Sequence, residues 1–347
     1  KNKIITDIDL FYLTNSKSKT IVVTGTNGKS TTCKLIAHLF KKNNFKCSLG
    51  GNIGNPILDI KKPKNKYIII EASSFQLSHS KYICPNYAFF LNLTNDHLDW
   101  HGNMKNYLKS KLKIFSLQNK NSFAYLPQDK DVIKSFKKNN FRSSVILNKR
   151  KTYNILKKNI LNPYLSSKSN LENLSFIYDL KNNFKISDKE FFSILNKFKG
   201  LPHRQEIFLK KNNVFFINDS KATTFESTKA CLMNYKNVLW ILGGLRKKDD
   251  NFNINKFKKN VLCAFIIGKE RSFFKSKIDK KIKYFEKISL KKTMKYIFDE
   301  LRYMTNKRIA IYVILSPASA SYDQFKNFEE RGNQFKKLII YNAKKYF

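Results

Sequence analysis

The stretch TIVVTGTNGKSTTCKLIAHLF, residues 20–40, sets a strand, a turn and a helix one after another. TIVVT (20–24) is a short β-branched run, and Cys33, Ile36, Ala37 and Phe40 recur at helical spacing behind it. Between them GTNGKST (25–31) occupies the strand-to-helix junction that a phosphate loop requires. There, backbone N–H groups and a helix N-terminus can cradle phosphates, Lys29 can reach the β and γ oxygens, and Ser30 or Thr31 can ligate Mg²⁺. Gly25 and Gly28 supply backbone freedom and close phosphate approach around Thr26 and Asn27, although Val23 stands where the GxxxxGK[ST] pattern has its first glycine.

Further β runs follow at 67–73, 87–94, 122–126 and 143–147, with helical stretches at 104–117 and 129–139. Residues 171–198 read as two helices broken around NNFKIS (182–187), where Ser187, Asp188 and Glu190 supply helix-start chemistry. After KGLPHR (199–204) a second series begins: strands at 213–219, 238–242, 261–268 and 308–315, with helices at 224–233, 289–303 and near 323–337. Short apolar strands alternating with helices predict an α/β fold with mostly parallel sheets covered on both faces. The chain has 347 residues, enough for two ordinary domains, and the expected boundary lies near residue 200.

Polar groups gather where strands end. Glu71 closes YIIIE and His97 follows FFLNLTND, both placed for a metal-nucleotide site at a sheet edge. Tyr107 and Lys111 are four apart and share a helix face, while Asn170 and Asn173 stand three apart at a helix start, a pairing that suits a cap as well as a purine edge. In the second half, Asp219, Ser220, Lys221 and Thr223 follow a strand, preceded by His203 and Arg204, and GGLRKK (243–248) and SPASASYDQF (316–325) follow two others. Such loops suit a substrate pocket, and all are expected to border one cleft with Lys29.

Taken in order, GTNGKST, GGNIG (50–54), EASSFQL (71–77), NLTNDHLDWHG (92–102), GLPHRQE (200–206), NDSKAT (218–223), LGG (242–244) and SPASASYDQFKNFEERG (316–332) resemble the Mur ligases of peptidoglycan synthesis, and within them the D-glutamate-adding members. The resemblance implies a P-loop central domain at 20–199, a Rossmann-like α/β domain at 200–347, and at 1–19 a remnant of an N-terminal domain and linker. It implies ATP and Mg²⁺ as cofactors, and joining of D-glutamate to UDP-N-acetylmuramoyl-L-alanine through an acyl phosphate.

By similarity, Lys29, Ser30 and Thr31 hold phosphates and Mg²⁺, Glu71 and His97 place metal, and Asn170 and Asn173 face adenine, with Ser169 where the family has a histidine. Lys111 corresponds to a carbamylated lysine that would lie beside metal, and Lys29, Lys111 and His97 form the expected catalytic set. Asn52 and Ser73 lie around the muramoyl substrate. Arg204, Asp219, Lys221, Lys247, Ser321 and Phe328 hold nucleotide phosphate or D-glutamate, Arg204 and Asp219 being the nucleotide-side pair. Family members carry an N-terminal domain that grips uridine diphosphate. Here only TDIDLF (6–11) precedes the phosphate loop, so an incomplete ligase without its uridine anchor is expected, and the opening Lys1 suits a processed product or fragment.

Composition narrows the partners. Sixty-seven Lys+Arg against 25 Asp+Glu give +42, an excess that can hold a polyanion. Yet only eight of the 67 are Arg, Lys is scattered through nearly every segment, and the accompanying Asn, Ile, Phe and Tyr share AT-rich codons with it. A specific nucleic-acid partner is therefore not expected, a nucleic-acid-binding P-loop ATPase and a catalytically impaired Mur-like ATP-binding protein being the alternatives. Five cysteines without a CxxC exclude a disulfide framework or sulfur knuckle, and the apolar runs are too short for membrane insertion. A cytoplasmic monomer is expected.

Overall fold

The computed structural model describes residues 5–14, 18–60, 67–246, 252–304 and 309–347. They form two compact units, Lys1–Phe198 and Lys199–Phe347.

Unit 1 carries strands β1 (Lys19–Thr24), β2 (Cys47–Gly51), β3 (Tyr67–Glu71), β4 (Tyr87–Phe90), β5 (Phe123–Leu126) and β6 (Ser144–Leu147), all parallel in the order β2-β3-β1-β4-β5-β6. Every residue of β3 and β4, and all of β1 beyond Lys19, is buried, which is why these segments are unbroken apolar runs without a polar alternation. The chain travels one way from β1 to β2 and β3, then reverses to β4, β5 and β6. The reversal opens a crevice beyond the C-terminal ends of β1 and β4, the place where open α/β sheets bind ligands.

Two of the expected strands end early. The run from 67 stops at Glu71 because Ser73 leaves the strand to cap the helix Ser74–His79, its Oγ accepting from the Gln76 N–H at 3.2 Å. The run from 87 stops at Phe90, and the residues beyond it turn toward the phosphate loop. The break inside 171–198 falls between the helices Lys168–Asn182 and Asp188–Asn196, where Ser187 and Glu190 form a reciprocal capping box. β2 and the helix Arg150–Asn159 are additions to the sequence reading, the first because CSLGG carries no β-branched residue, the second because lysines and asparagines blur its apolar face.

Unit 2 carries β7 (Glu206–Lys211), β8 (Val214–Asn218), β9 (Val238–Leu242), β10 (Val261–Ile266), β11 (Tyr284–Glu286) and β12 (Ile311–Leu315) in the order β11-β10-β9-β12-β8-β7. Five are parallel, and β7 runs antiparallel to β8, the two joined by a tight turn that places Asn212 at φ 49°. Both faces are covered. Leu239 and Ile241 pack with Ile297, Phe298 and Phe335 on one side, while Val238, Trp240 and Leu242 pack with Phe225, Phe257 and Phe274 on the other. The last helix spans Phe328–Tyr346, not 323–337: Asn327 caps it by accepting from the Glu330 N–H at 2.8 Å, so residues 323–327 stay outside it.

A buried carboxylate fastens the start of unit 1. Asp9, fully buried in the helix Asp7–Thr14, accepts from Ser80 Oγ at 2.6 Å, from the N–H groups of Lys81 and Tyr82 at 2.8 Å each, and from Thr6 N–H at 3.4 Å. Burial alone would raise its pKa, but these donors together hold the carboxyl below its ordinary 3.8. Replacing Asp9 by Ala strands those donors and is expected to cost about 2–3 kcal/mol in denaturant unfolding at pH 7. Because the folded-state pKa is depressed, the contribution is present above 3.8 and lost as pH falls through the lower folded value. The gap between Asp9→Ala and the parent should therefore close in strong acid, and a gap constant with pH would contradict the assignment.

Candidate active site

At the end of β1 the chain enters Gly25 at φ 150° and leaves through Gly28 at φ 86°, which caps the helix Lys29–Lys42 without a side-chain hydrogen bond. A helix start of this kind offers N–H groups and a positive dipole end to an anion. The loop is fastened to the segment after β4. Thr26 N–H donates to Asn92 O at 3.0 Å, Asn27 N–H to Asn92 Oδ1 at 2.9 Å, and Asn92 Nδ2 returns a bond to Asn27 O at 3.0 Å. Thr26 Oγ1 donates to Thr94 O at 3.2 Å and accepts from Tyr107 OH at 3.3 Å.

Two lysines converge on one carbonyl. Lys29 Nζ donates to Gly25 O at 2.9 Å and Thr26 O at 2.7 Å, while Lys111 Nζ, 1% exposed, reaches the same Gly25 O at 2.8 Å. Lys111 also lies 4.4 Å from the centre of the Tyr107 ring, the contact that their spacing of four predicts. Burial, followed by repulsion from Lys29, lowers the Lys111 pKa to about 6 despite the opposing charge of Asp96. At neutral pH the side chain is mostly an uncharged amine.

Glu71 sits opposite Val23 in the β1–β3 register and is 2% exposed. Its Oε1 accepts from Asn52 Nδ2 at 3.0 Å, while Oε2 is buried with no hydrogen-bond partner. Burial, reinforced by Glu71 and opposed by Lys29, pushes the Cys33 thiol well up, so both charges act on the first turns of the phosphate helix. His97, at φ 54°, faces Asp96 at 3.4 Å and packs against Phe75 with ring centres 4.8 Å apart. Among the described residues no three of His, Cys, Asp and Glu gather as a metal cage. An orphaned carboxylate oxygen with the nearly buried hydroxyls of Ser30 and Thr31 nevertheless fits Mg²⁺, which keeps several waters and takes one or two carboxylates beside substrate phosphates.

Asn173 is nearly buried and packs so closely on the phosphate loop that a Cβ on Gly28 would collide with its amide. Asn170 is turned away, donating from Nδ2 to Tyr164 O at 2.7 Å. Asn92 and Asn173 also line a cleft of about 530 Å³ with Asn148, Lys149, Tyr153 and Phe176.

In unit 2, Asp219 follows β8, 5% exposed, and accepts from Ser316 Oγ at 2.7 Å and Gln205 N–H at 3.1 Å. Burial raises its carboxyl to about 6 against these bonds and the charge of Arg204. Beside it, Asn218 Nδ2 donates to Glu206 Oε2 at 3.1 Å and meets His203 Nδ1 at 2.9 Å, and burial lowers the His203 pKa. Lys221 Nζ stands 3.7 Å over the Phe328 ring, and Ser321 is 2% exposed.

Residues 23–186 match the Mur ligase middle domain. The chain is 31% identical to the UDP-N-acetylmuramoylalanine--D-glutamate ligase of Wolbachia pipientis wMel, the alignment covering 97% of this chain and 80% of that one. It is 33% identical to the enzyme of the same name from Rickettsia prowazekii (strain Madrid E), over 96% of this chain and 79% of that one. The chain belongs to the Mur ligase family. Among solved structures, MurF from Acinetobacter baumannii shares the fold with a TM-score of 0.72 at 13% identity, over 96% of this chain and 79% of that one. MurF ligase from Thermotoga maritima, solved in complex with ADP, does so at 0.67 and 17%, over 97% and 85%.

In this Mur ligase the phosphate-loop residues, Asn52, Glu71, Lys111 and Asn173 gather at the C-terminal end of the unit 1 sheet. Ser73 spends its hydroxyl as a helix cap. Lys247 lies outside the described residues. Four participants went unassigned in the sequence: Asn92, Asn218, Ser316 and Arg331. Each directly follows or ends a strand, or lies within a quoted motif, and that position was the available signal.

The raised pKa of Asp219 carries a stability consequence. A carboxyl with a folded value of about 6 against 3.8 contributes stability that is fully present below 3.8 and lost as pH rises through 6. Asp219→Asn should thus gain on the parent by up to about 2–3 kcal/mol between pH 4 and 7. Thermal melts across that range test this, and a pH-independent difference would refute it.

Proposed function

We propose that this chain joins D-glutamate to UDP-N-acetylmuramoyl-L-alanine, using ATP and releasing ADP and phosphate. The observation that carries the reading is the helix start behind Gly28, which has no side-chain cap bond and is flanked by Lys29, Lys111 and the unpartnered Glu71 oxygen. Lys29 and the N–H groups at the helix start behind Gly28 orient the nucleotide phosphates so that the terminal phosphoryl group faces the alanine carboxylate. Glu71, His97, Ser30 and Thr31 would hold Mg²⁺, which would supply charge neutralisation to the phosphates. Asn173, fixed on Gly28, faces the adenine, with Asn170 beside it on the same helix. Asn52 and Ser73 lie by the muramoyl substrate. Arg204 and Asp219 bind on the nucleotide side, and Lys221, Lys247, Ser321 and Phe328 receive the D-glutamate whose amine attacks the acyl phosphate. The enzyme works as a cytoplasmic monomer, and among the described residues no helix is long and apolar enough to cross a membrane.

Lys111 has a chemical role in this reading. An uncharged amine attacks CO₂, forming an N–C bond and releasing one proton, and leaves an anionic carbamate. The neutral amine beside Lys29 at Gly25 O thereby becomes an anion that Lys29 attracts. With a pKa of about 6 the amine is available throughout neutral and basic pH and is lost to protonation below that value.

Incorporation of labelled D-glutamate, dependent on ATP and the muramoyl substrate, tests the function. ATP binding without incorporation at any substrate concentration would overturn it. Lys111→Ala should lower turnover about a hundredfold or more while ATP affinity changes little, and short carboxylic acids should restore part of the rate. With ¹³C-bicarbonate the parent should show a carbamate resonance that Lys111→Ala lacks and that fades as pH falls through about 6.

A further inference from the structure

Arg331 is among the largest fully buried side chains, 1% exposed, on the first turn of the helix Phe328–Tyr346. Its guanidinium spreads over two strand-end loops. Nε donates to Ser220 Oγ at 3.0 Å, Nη2 to Ser220 O at 2.9 Å and Ser319 O at 3.1 Å, and Nη1 to Ala320 O at 3.3 Å. All four acceptors are neutral. Burial lowers its pKa to about 10, opposed by the charge of Asp323, so it remains a cation at neutral pH.

A buried cation held only by carbonyl and hydroxyl oxygens costs stability, and a packed apolar side chain would serve a purely structural need as well or better. A planar fork does what an apolar residue cannot, since it fixes several acceptors in one plane. Those acceptors flank Lys221 on one loop and Ser321 on the other. Ser220 Oγ closes the set by donating to Phe328 O at 2.8 Å, and the Phe328 ring carries Lys221 Nζ at 3.7 Å. Each group assigned to D-glutamate among the described residues is therefore one residue or one contact away from a residue that Arg331 holds.

We infer that Arg331 is a positioning residue: its guanidinium clamps residues 218–223 to residues 316–321 so that Lys221, Ser321 and Phe328 meet an amino-acid carboxylate in fixed geometry. This rests on the reading that unit 2 receives D-glutamate. The clamp does not touch the phosphate loop, and Asp219 keeps its own bonds to Ser316 and Gln205, so loss of the clamp acts more on D-glutamate than on ATP.

Arg331→Lys keeps the charge and most of the stem but loses the fork, and Arg331→Met keeps only the bulk. Amide hydrogen exchange should accelerate about tenfold in 219–223 and 316–321 in both variants, while β8, β9 and β12 keep their parental rates. The KM for D-glutamate should rise about tenfold or more with the KM for ATP within about threefold, and millimolar guanidinium should reverse part of the loss in Arg331→Ala. Unchanged exchange in the two loops of Arg331→Lys, or KM values for the two substrates rising in parallel, would overturn the clamp. Should Arg331→Met fail to fold, Arg331→Lys carries the test. D-glutamate added to the parent separates the two readings: if it slows exchange in neither loop, the assignment of D-glutamate to unit 2 fails, whereas the loosening seen in the variants still decides the clamp.

Discussion

Lys29 and Lys111 meet at the carbonyl of Gly25, and much of unit 1 is arranged to keep two basic side chains at that point. The parallel sheet delivers Gly25 at the end of β1, Tyr107 lays its ring along the Lys111 amine, and Glu71 closes the neighbouring strand. Desolvation resolves the conflict by discharging the more deeply buried of the two. One lysine of the pair thus keeps its charge beside Gly25 O while the other is held mostly as a neutral amine.

Unit 2 solves a different problem. Among the described residues its strand-end loops carry no helix-capping glycine loop of the unit 1 kind and are tied by side chains: Asp219 to Ser316 and Gln205, Asn218 to His203 and Glu206, Arg331 to Ser220, Ser319 and Ala320. The sheet below is covered on both faces, so the polar groups are confined to its ends. Rigidity in this unit is polar at the rim and apolar beneath.

The strands were legible wherever burial on both faces forced an unbroken apolar run, as in IVVT, YIIIE and VLWIL. The phosphate loop was legible because glycine, lysine and hydroxyls fall at one junction. β7 was not: EIFLKK ends in lysines at a sheet edge, and Asn212 at its turn is one asparagine among many. Arg331 was hidden for a related reason, since an arginine beside two glutamates reads as a solvated helix face, and only the fold turns it inward. What long-range packing decides, such as Asn92 bonding to a loop 65 residues away, leaves no local trace.

The thiols complete a property of both units. All five cysteines are free, and burial holds each above its ordinary pKa, Cys33 beneath the phosphate loop and Cys231 beside Asp219 most strongly. Electrophiles and peroxides attack the thiolate, which these environments suppress. The sulfur of both units is thus held mostly in its less reactive thiol form, which slows oxidants that act through a thiolate.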